Sequence, residues 1–260
     1  MNSISSERSR AAKLTAGSVL AFAFMIVMNF LANYLPLNDI STAEISDKYY
    51  NIFTPAGFTF IIWGVIYLSL ALLLAFLIWG VFKAGERPIR IISAIGWYFI
   101  ASSILNGLWI FTWHYDLIAL SLVVMFALLM SLVILYRRLK TSQVEASSYI
   151  LPFSLYLGWV SVATLANIAI LTVAFNWGQL GLSSEFWFTA ALVVIIAVSA
   201  YMILRMRDSV YGVVILWALA GITAARWGDA AGLSYAAGAT IAAAVVIFLL
   251  LGVKQLYSRS

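Results

Sequence analysis

Residues 56–82 read AGFTFIIWGVIYLSLALLLAFLIWGVF, a continuous apolar stretch without a charged side chain. A helix needs about 20 apolar residues to cross the roughly 30 Å of hydrocarbon in a bilayer. A transmembrane β-strand would be only about 10 residues long and would alternate apolar and polar positions. Lipid offers no partner to backbone N–H and C=O groups, so only helices or closed barrels span it. The length and continuity of the stretch therefore predict a membrane-spanning helix.

Seven other segments qualify as spans or nearly do so. The eight predicted spans cover residues 14–35, 56–82, 88–113, 116–137, 147–173, 184–205, 209–225 and 232–253. The seventh is the weakest, because it is short and ends at Arg226. The chain is 64% hydrophobic and 10% charged, whereas a soluble domain is about 45–50% apolar and about 25% charged. We therefore predict an all-α, polytopic bundle of about eight helices that is integral to the membrane.

The basic residues indicate the topology of these spans. Thirteen of the 15 Lys and Arg fall in the ends and loops of one side, and only Lys48 and Arg226 fall on the other. The positive-inside rule then places both termini in the cytoplasm. This placement also explains the net charge of +5 without a nucleic-acid partner, since no basic stripe forms one face. The expected location is a bacterial inner membrane or plasma membrane, with the lipid bilayer as partner.

Several classes of function are disfavoured by what the chain contains. It has no Cys, which removes disulfides, thiolate chemistry and Cys-based metal sites. Its single His, His114, is better read as a solvated interfacial residue than as an axial haem ligand. No ionisable residue lies in mid-span, which disfavours a proton- or sodium-coupled transporter. We predict no metal site, and without a visible catalytic triad we expect the chain not to be an enzyme.

Aromatic and amide side chains share one face on each of three predicted helices. These faces carry Phe60, Trp63 and Tyr67 on the second span, Asn106, Trp109 and Trp113 on the third, and Pro152, Tyr156, Trp159, Ala163 and Asn167 on the fifth. Residues at these spacings lie on one side of a helix, and an Asn in lipid is costly unless it is paired. The faces are compatible with plain interhelical packing. They are also typical of an apolar pocket in which a few polar groups orient a flat ligand.

The predicted orientation places these residues in the outer half of their spans. A pocket there would open outward or into the outer leaflet. Above it lies the longest predicted loop, residues 36–55, which contains Tyr49 and Phe53. The loop is either a lid over the pocket or a plain interfacial segment.

The three faces resemble the TspO/MBR family, the tryptophan-rich sensory or translocator proteins, which have five transmembrane helices. The matching elements are Pro55 followed by Trp63 and Tyr67, then Leu105-Asn106-x-x-Trp109, then Trp159-Val160-x-x-Ala163-x-x-x-Asn167. The resemblance covers about residues 10–175. It departs from the family in having one Pro before the second span, in the spacing of Pro152 from Trp159, and in three further spans. We accordingly expect a five-helix TspO-like domain over 1–175 and three additional transmembrane helices over 176–260 packed on it.

The resemblance implies that the protein binds or senses a tetrapyrrole such as protoporphyrin or a sterol-like lipid. It is also compatible with transport of that ligand. Trp63, Asn106, Trp159 and Ala163 match family positions that line the pocket. The ligand-binding residues predicted from the faces and the resemblance together are Phe60, Trp63, Tyr67, Asn106, Trp109, Trp113, Trp159, Ala163 and Asn167. A porphyrin would be a ligand, and no cofactor is expected to be required. The alternatives are an uncoupled small-molecule permease and a membrane enzyme that acts on a bound pigment.

Small residues recur every four positions on the eighth span, at Ser234, Gly238 and Ala242. Such a stripe lets two helices approach closely. It predicts either packing within the monomer or a homodimer.

Overall fold

The computed structural model describes residues 2–34, 37–49, 51–142, 147–177, 181–226 and 232–257. Within these ranges the chain is helical, with no strand. The helices are α1 (Asn2–Tyr34), α2 (Thr42–Lys48), α3 (Ile62–Phe82), α4 (Glu86–His114), α5 (Ile118–Thr141), α6 (Ser147–Ala174), α7 (Ser184–Ala200), α8 (Ser209–Ala225) and α9 (Gly232–Tyr257). The eight predicted spans correspond in order to the eight long helices, first α1 and then α3 to α9. Leu35, the end of the first predicted span, lies outside the described residues.

Helix length and composition support the membrane assignment. Seven helices in the described part of the chain are long and apolar enough to cross a bilayer. Helix α7 is among them because a π-helical turn, Tyr201–Arg205, extends it to a span of 22 residues, Ser184–Arg205. Among the predicted spans the exception is α8, which is apolar but has only 17 residues. It begins where Asp208 accepts a hydrogen bond from the backbone N–H of Tyr211 (3.1 Å) and ends before Arg226. The prediction of a polytopic helix bundle is confirmed, while the count of eight spans and the side of the termini remain predictions.

Contacts divide the chain into two compact units. Unit 1 comprises Met1–Thr42 and Trp63–Leu157, and unit 2 comprises Ala43–Ile62 and Gly158–Ser260. Neither boundary coincides with the predicted division at residue 175. The reason is that the segment before α3 and the second half of α6 cluster with α7 to α9. A separate five-helix domain over 1–175 with three helices packed on it stays a prediction.

In unit 1, α1 lies close against α4. A Cβ added at Gly107 would lie 2.4 Å from the ring of Phe24, and one added at Gly96 would lie 3.1 Å from Leu14. Glycine is therefore needed at Gly107 for this approach. In membranes such small residues bring helix backbones together where no hydrophobic driving force does so.

In unit 2, α9 packs against α7 and α8. The hydroxyls of Thr223 on α8 and Thr240 on α9 are 2.6 Å apart, and the ring of Phe188 on α7 lies 6.3 Å from that of Tyr235 on α9. The second half of α6 also contacts α8, since a Cβ at Gly158 would lie 3.0 Å from Val214. These contacts hold α8 against α6 and α9 within unit 2.

The small-residue stripe of the eighth span faces outward where it is described. Gly238 and Ala242 are exposed, and a Cβ added at Gly238 would meet nothing within 4 Å. The side chain of Ser234 lies outside the described residues. The homodimer prediction remains a prediction.

Candidate functional site

Four of the nine predicted ligand-binding residues come together in unit 1. We call them, with Tyr156 of α6, the Trp63 cluster: Trp63, Tyr67, Asn106, Trp109 and Tyr156. The Trp63 ring stacks on Tyr67 with 5.5 Å between centroids and lies 5.7 Å from Trp109. Tyr156 meets Trp63 edge-on at 6.0 Å. Offset and edge-on rings at these distances attract each other through their quadrupoles.

An amide network fixes the orientation of Asn106 in this cluster. Asn29 of α1 donates through Nδ2 to the Met25 carbonyl (2.9 Å) and to Asn106 Oδ1 (2.7 Å). The Tyr67 hydroxyl donates to the same Oδ1 at 3.4 Å. With its oxygen turned toward these two donors, Asn106 must direct its Nδ2 elsewhere. Asn106 is fully buried and its amide also interacts with the Tyr156 hydroxyl, but its Nδ2 makes no hydrogen bond of standard geometry with any described residue.

Trp113 also lies in unit 1, where its indole N–H binds the first residue of α2. Its Nε1 donates to the Thr42 carbonyl at 3.2 Å, and its ring lies 5.9 Å from Trp109. The next residue, His114, makes two contacts of the same kind. Its Nε2 lies 3.0 Å from the Thr42 hydroxyl, and its carbonyl accepts a hydrogen bond from Asn38 Nδ2 at 3.2 Å. His114 is 1% exposed, so the prediction of a solvated interfacial histidine is wrong. These bonds hold residues 38–42 against the end of α4.

The other four predicted residues lie in unit 2. Phe60 meets Trp159 edge-on at 6.0 Å, and both Phe60 and Ala163 are half-buried. Asn167 is buried and donates through Nδ2 to the Ala163 carbonyl one turn back (2.9 Å). This bond satisfies one side of the amide within its own helix.

The segment 51–61, which leads into α3, is fastened to α8 inside unit 2. Ala56 donates its backbone N–H to the Gly221 carbonyl (3.0 Å), and Trp217 Nε1 donates to the Thr59 carbonyl (3.0 Å). The buried Arg226 guanidinium donates to the carbonyls of Asn51 and Thr54. The later half of the predicted loop is therefore held by side chains and backbone of the penultimate span.

Sequence reasoning overlooked Asn29 and Thr42, assigned no partner to Trp217, and treated Arg226 as an ordinary charge at a span end. The argument that Asn106 must be paired applies equally to Asn29, an amide in an apolar span, and could have found it. The other three act on residues distant in sequence, and no local pattern marks them. Among the described residues, no group of three His, Asp or Glu side chains comes together that would hold a metal ion.

Comparison with known proteins bears on the whole chain. A family model described as TSPO-like protein matches residues 15–252. Searches of curated proteins and of solved structures gave no match. The match runs through the last three spans, so the limit of the resemblance at about residue 175 was wrong, and α7, α8 and most of α9 are part of the family's pattern. Because the family model matches most of the chain, the chain belongs to the TSPO-like protein family.

Proposed function

We propose that this multi-pass membrane protein binds or senses a flat apolar small molecule at the Trp63 cluster. The ligand class is a tetrapyrrole or a sterol-like lipid that carries a hydrogen-bond acceptor. The observation that carries the proposal is the buried Asn106 amide, which interacts with the hydroxyls of Tyr67 and Tyr156 while its Nδ2 makes no hydrogen bond of standard geometry with the described residues. A carbonyl, carboxylate or hydroxyl oxygen of the ligand would accept from it.

A ligand that brings a hydrogen-bond acceptor would gain free energy at this position. A buried donor left unsatisfied costs about 1–3 kcal/mol, and an acceptor brought by a ligand would recover that free energy. Stacking on Trp63 or Trp109 would add about 0.5–1.5 kcal/mol for each aromatic pair. An apolar pocket with one placed polar group is the usual composition of a small-molecule site.

Entry of a ligand requires movement in unit 1. Trp63 and Trp109 are 8% and 2% exposed, so their rings are closed to solvent. The bonds from Trp113 and His114 to Thr42 hold residues 38–42 beside this cluster. We propose that these bonds open when the ligand enters, which makes residues 38–42 the lid.

Three finer points belong to the same proposal. Phe60, Trp159, Ala163 and Asn167 stay predicted ligand-binding residues, and the family resemblance implies this role for Trp159 and Ala163. The location is a bacterial inner or plasma membrane, where a porphyrin or sterol-like lipid would partition. The role is binding or sensing, with no chemical step on the ligand.

The test is a titration of the detergent-purified protein with protoporphyrin, followed by tryptophan fluorescence. We expect saturable quenching, with a Kd raised about five- to tenfold by Asn106→Ala, since a lost hydrogen bond is worth about 1–1.5 kcal/mol. Trp63→Phe should also weaken binding, because the stacking area shrinks. The matched control is Trp79→Phe on the same helix, where Trp79 is 64% exposed.

Quenching that does not saturate, or a Kd that folded Asn106→Ala leaves unchanged, would contradict the proposal. The cluster would then be a packing element.

A further inference from the structure

A cavity of about 500 Å³ lies in unit 1, away from the Trp63 cluster, between the first turns of α1 and the last turn of α3. Its walls include Ala12, Ala16 and Leu20 of α1 and Ile78 and Phe82 of α3, and Arg8 lies at one end. The volume is within the range of about 300–1,000 Å³ that small-molecule sites occupy. Along α1 the cavity extends from Arg8 to Leu20, a rise of about 18 Å at 1.5 Å per residue.

The wall of the cavity is apolar apart from Arg8 and Thr15. Ala12 and Ala16 lie on successive turns of α1, and both are exposed. Their short side chains leave the cavity open along the helix, and we call it the α1–α3 furrow. The hydroxyl of Thr15 on the same wall donates to the Ala11 carbonyl at 2.8 Å, so it is used within α1. An occupant would therefore be apolar along most of its length.

Arg8 supplies the polar end. One of its terminal nitrogens donates to the Phe82 carbonyl at 3.0 Å, at the end of α3. A guanidinium has five N–H donors in a planar fork, so this bond leaves further donors for a phosphate. Residues 6–13 and 82–90 together hold six basic and two acidic side chains. Their positive field adds to the attraction for an anionic headgroup.

The dimensions and the charge agree with one occupant. The hydrocarbon of one leaflet is about 15 Å deep, which is half of the bilayer core. The furrow is about 18 Å long and has the cation at the end nearest the membrane surface. It therefore fits one acyl chain with one phosphate at that end.

A second copy of the chain fits this surface less well. A two-fold dimer places the same patch on both partners, so it would bring two copies of Arg8 and its basic neighbours together. Like charges at such a contact oppose association.

We propose that the α1–α3 furrow is a binding site for an anionic phospholipid, with the phosphate on Arg8 and an acyl chain along Ala12, Ala16 and Leu20. This site is separate from the ligand site in the Trp63 cluster. It would tie α1 to α3 at the membrane surface.

The test is native mass spectrometry of the full chain with phosphatidylglycerol or phosphatidylcholine of identical acyl chains. We expect preferential retention of phosphatidylglycerol. Arg8→Gln should lower its retention about fivefold, which corresponds to about 1 kcal/mol for one basic residue near the surface. Ala16→Phe fills the furrow and should lower retention of both lipids.

The controls are Arg10→Gln and Ala23→Phe, exposed positions of α1 that do not line the cavity. Ala23→Phe should retain phosphatidylglycerol like the unsubstituted protein, and Arg10→Gln should lose less than Arg8→Gln because it weakens only the general positive field. Equal losses in Arg8→Gln and Arg10→Gln would reduce the effect to general surface charge and overturn the proposal. Unchanged retention in Ala16→Phe would also overturn it. So would a dimer that Ala16→Phe converts to monomer, because a second copy would then cover the furrow.

Discussion

At the scale of single residues, unit 1 is organised around two amides buried in apolar helices. Asn29 and Asn106 lie on α1 and α4, and the bond between them satisfies Asn106 Oδ1. Lipid provides no partner, so an amide there is stable only when another protein group meets it. The pair thereby fixes which side of Asn106 carries the N–H donor.

We predict that Asn29→Ala lowers the free energy of unfolding by about 1 kcal/mol, within the range measured for interhelical hydrogen bonds in membranes. It should also weaken protoporphyrin binding, because Asn106 becomes free to rotate its amide. The measurement is unfolding in mixed micelles together with the quenching titration.

The matched control for that substitution is Asn33→Ala, one turn further along α1. Asn33 donates to the Asn29 carbonyl at 2.8 Å but is exposed, so its removal should change stability by only a few tenths of a kcal/mol. Equal effects of the two substitutions would contradict a specific role for Asn29.

At the scale of elements, the contact between segment 51–61 and α8 depends on a close approach at Gly221. A Cβ added there would lie 2.1 Å from the Thr59 hydroxyl and 2.7 Å from its methyl carbon. Thr59 is completely buried and has a short side chain, so it cannot move aside freely. The backbone must separate when Gly221 is enlarged.

We predict that Gly221→Ala destabilises the protein by about 1–3 kcal/mol, as overpacking does. Hydrogen exchange at the Ala56 amide should become faster, because its acceptor is the Gly221 carbonyl. The control is Gly238→Ala, where the new Cβ meets nothing within 4 Å. Slow exchange at Ala56 in Gly221→Ala would show that the segment is held by other bonds.

Helix α8 is also the element on which the topology depends. Its 17 residues make a helix of about 26 Å, shorter than the hydrocarbon core of about 30 Å. A span of this length is accommodated by local thinning of the bilayer or by flanking side chains that reach the interface.

At the scale of the whole molecule, the number of crossings decides on which side the last helix ends. Because the chain has no Cys, single Cys variants report their side without background. We predict that an impermeant maleimide labels Leu182→Cys from outside the cell and labels Gly252→Cys only after permeabilisation. Gly252 suits this test, since it is exposed and an added Cβ there meets nothing within 4 Å.

The two labels separate the alternatives. Labelling of Gly252→Cys from outside, with Leu182→Cys also outside, would mean that α8 does not cross the membrane and that the C-terminus is external. Labelling of Leu182→Cys only after permeabilisation would invert the predicted orientation of the preceding helices.

The sequence alone determined the membrane class, the order of the long helices and the family. These depend on local properties, because a run of about 20 apolar residues must be helical in lipid and the Trp and Asn spacings lie within single helices. The same local argument placed Trp63, Tyr67, Asn106 and Trp109 on faces that the structure brings together.

Only the tertiary structure decided what the polar groups bind. His114 and Trp113 hold Thr42, and Arg226 holds the carbonyls of Asn51 and Thr54. These partners are separated by 71 to 175 residues, so no periodicity could pair them. The division of α6 between the two compact units was also not predictable from the sequence. Burial in the folded chain depends on which helix faces meet and not on the order of the helices in sequence.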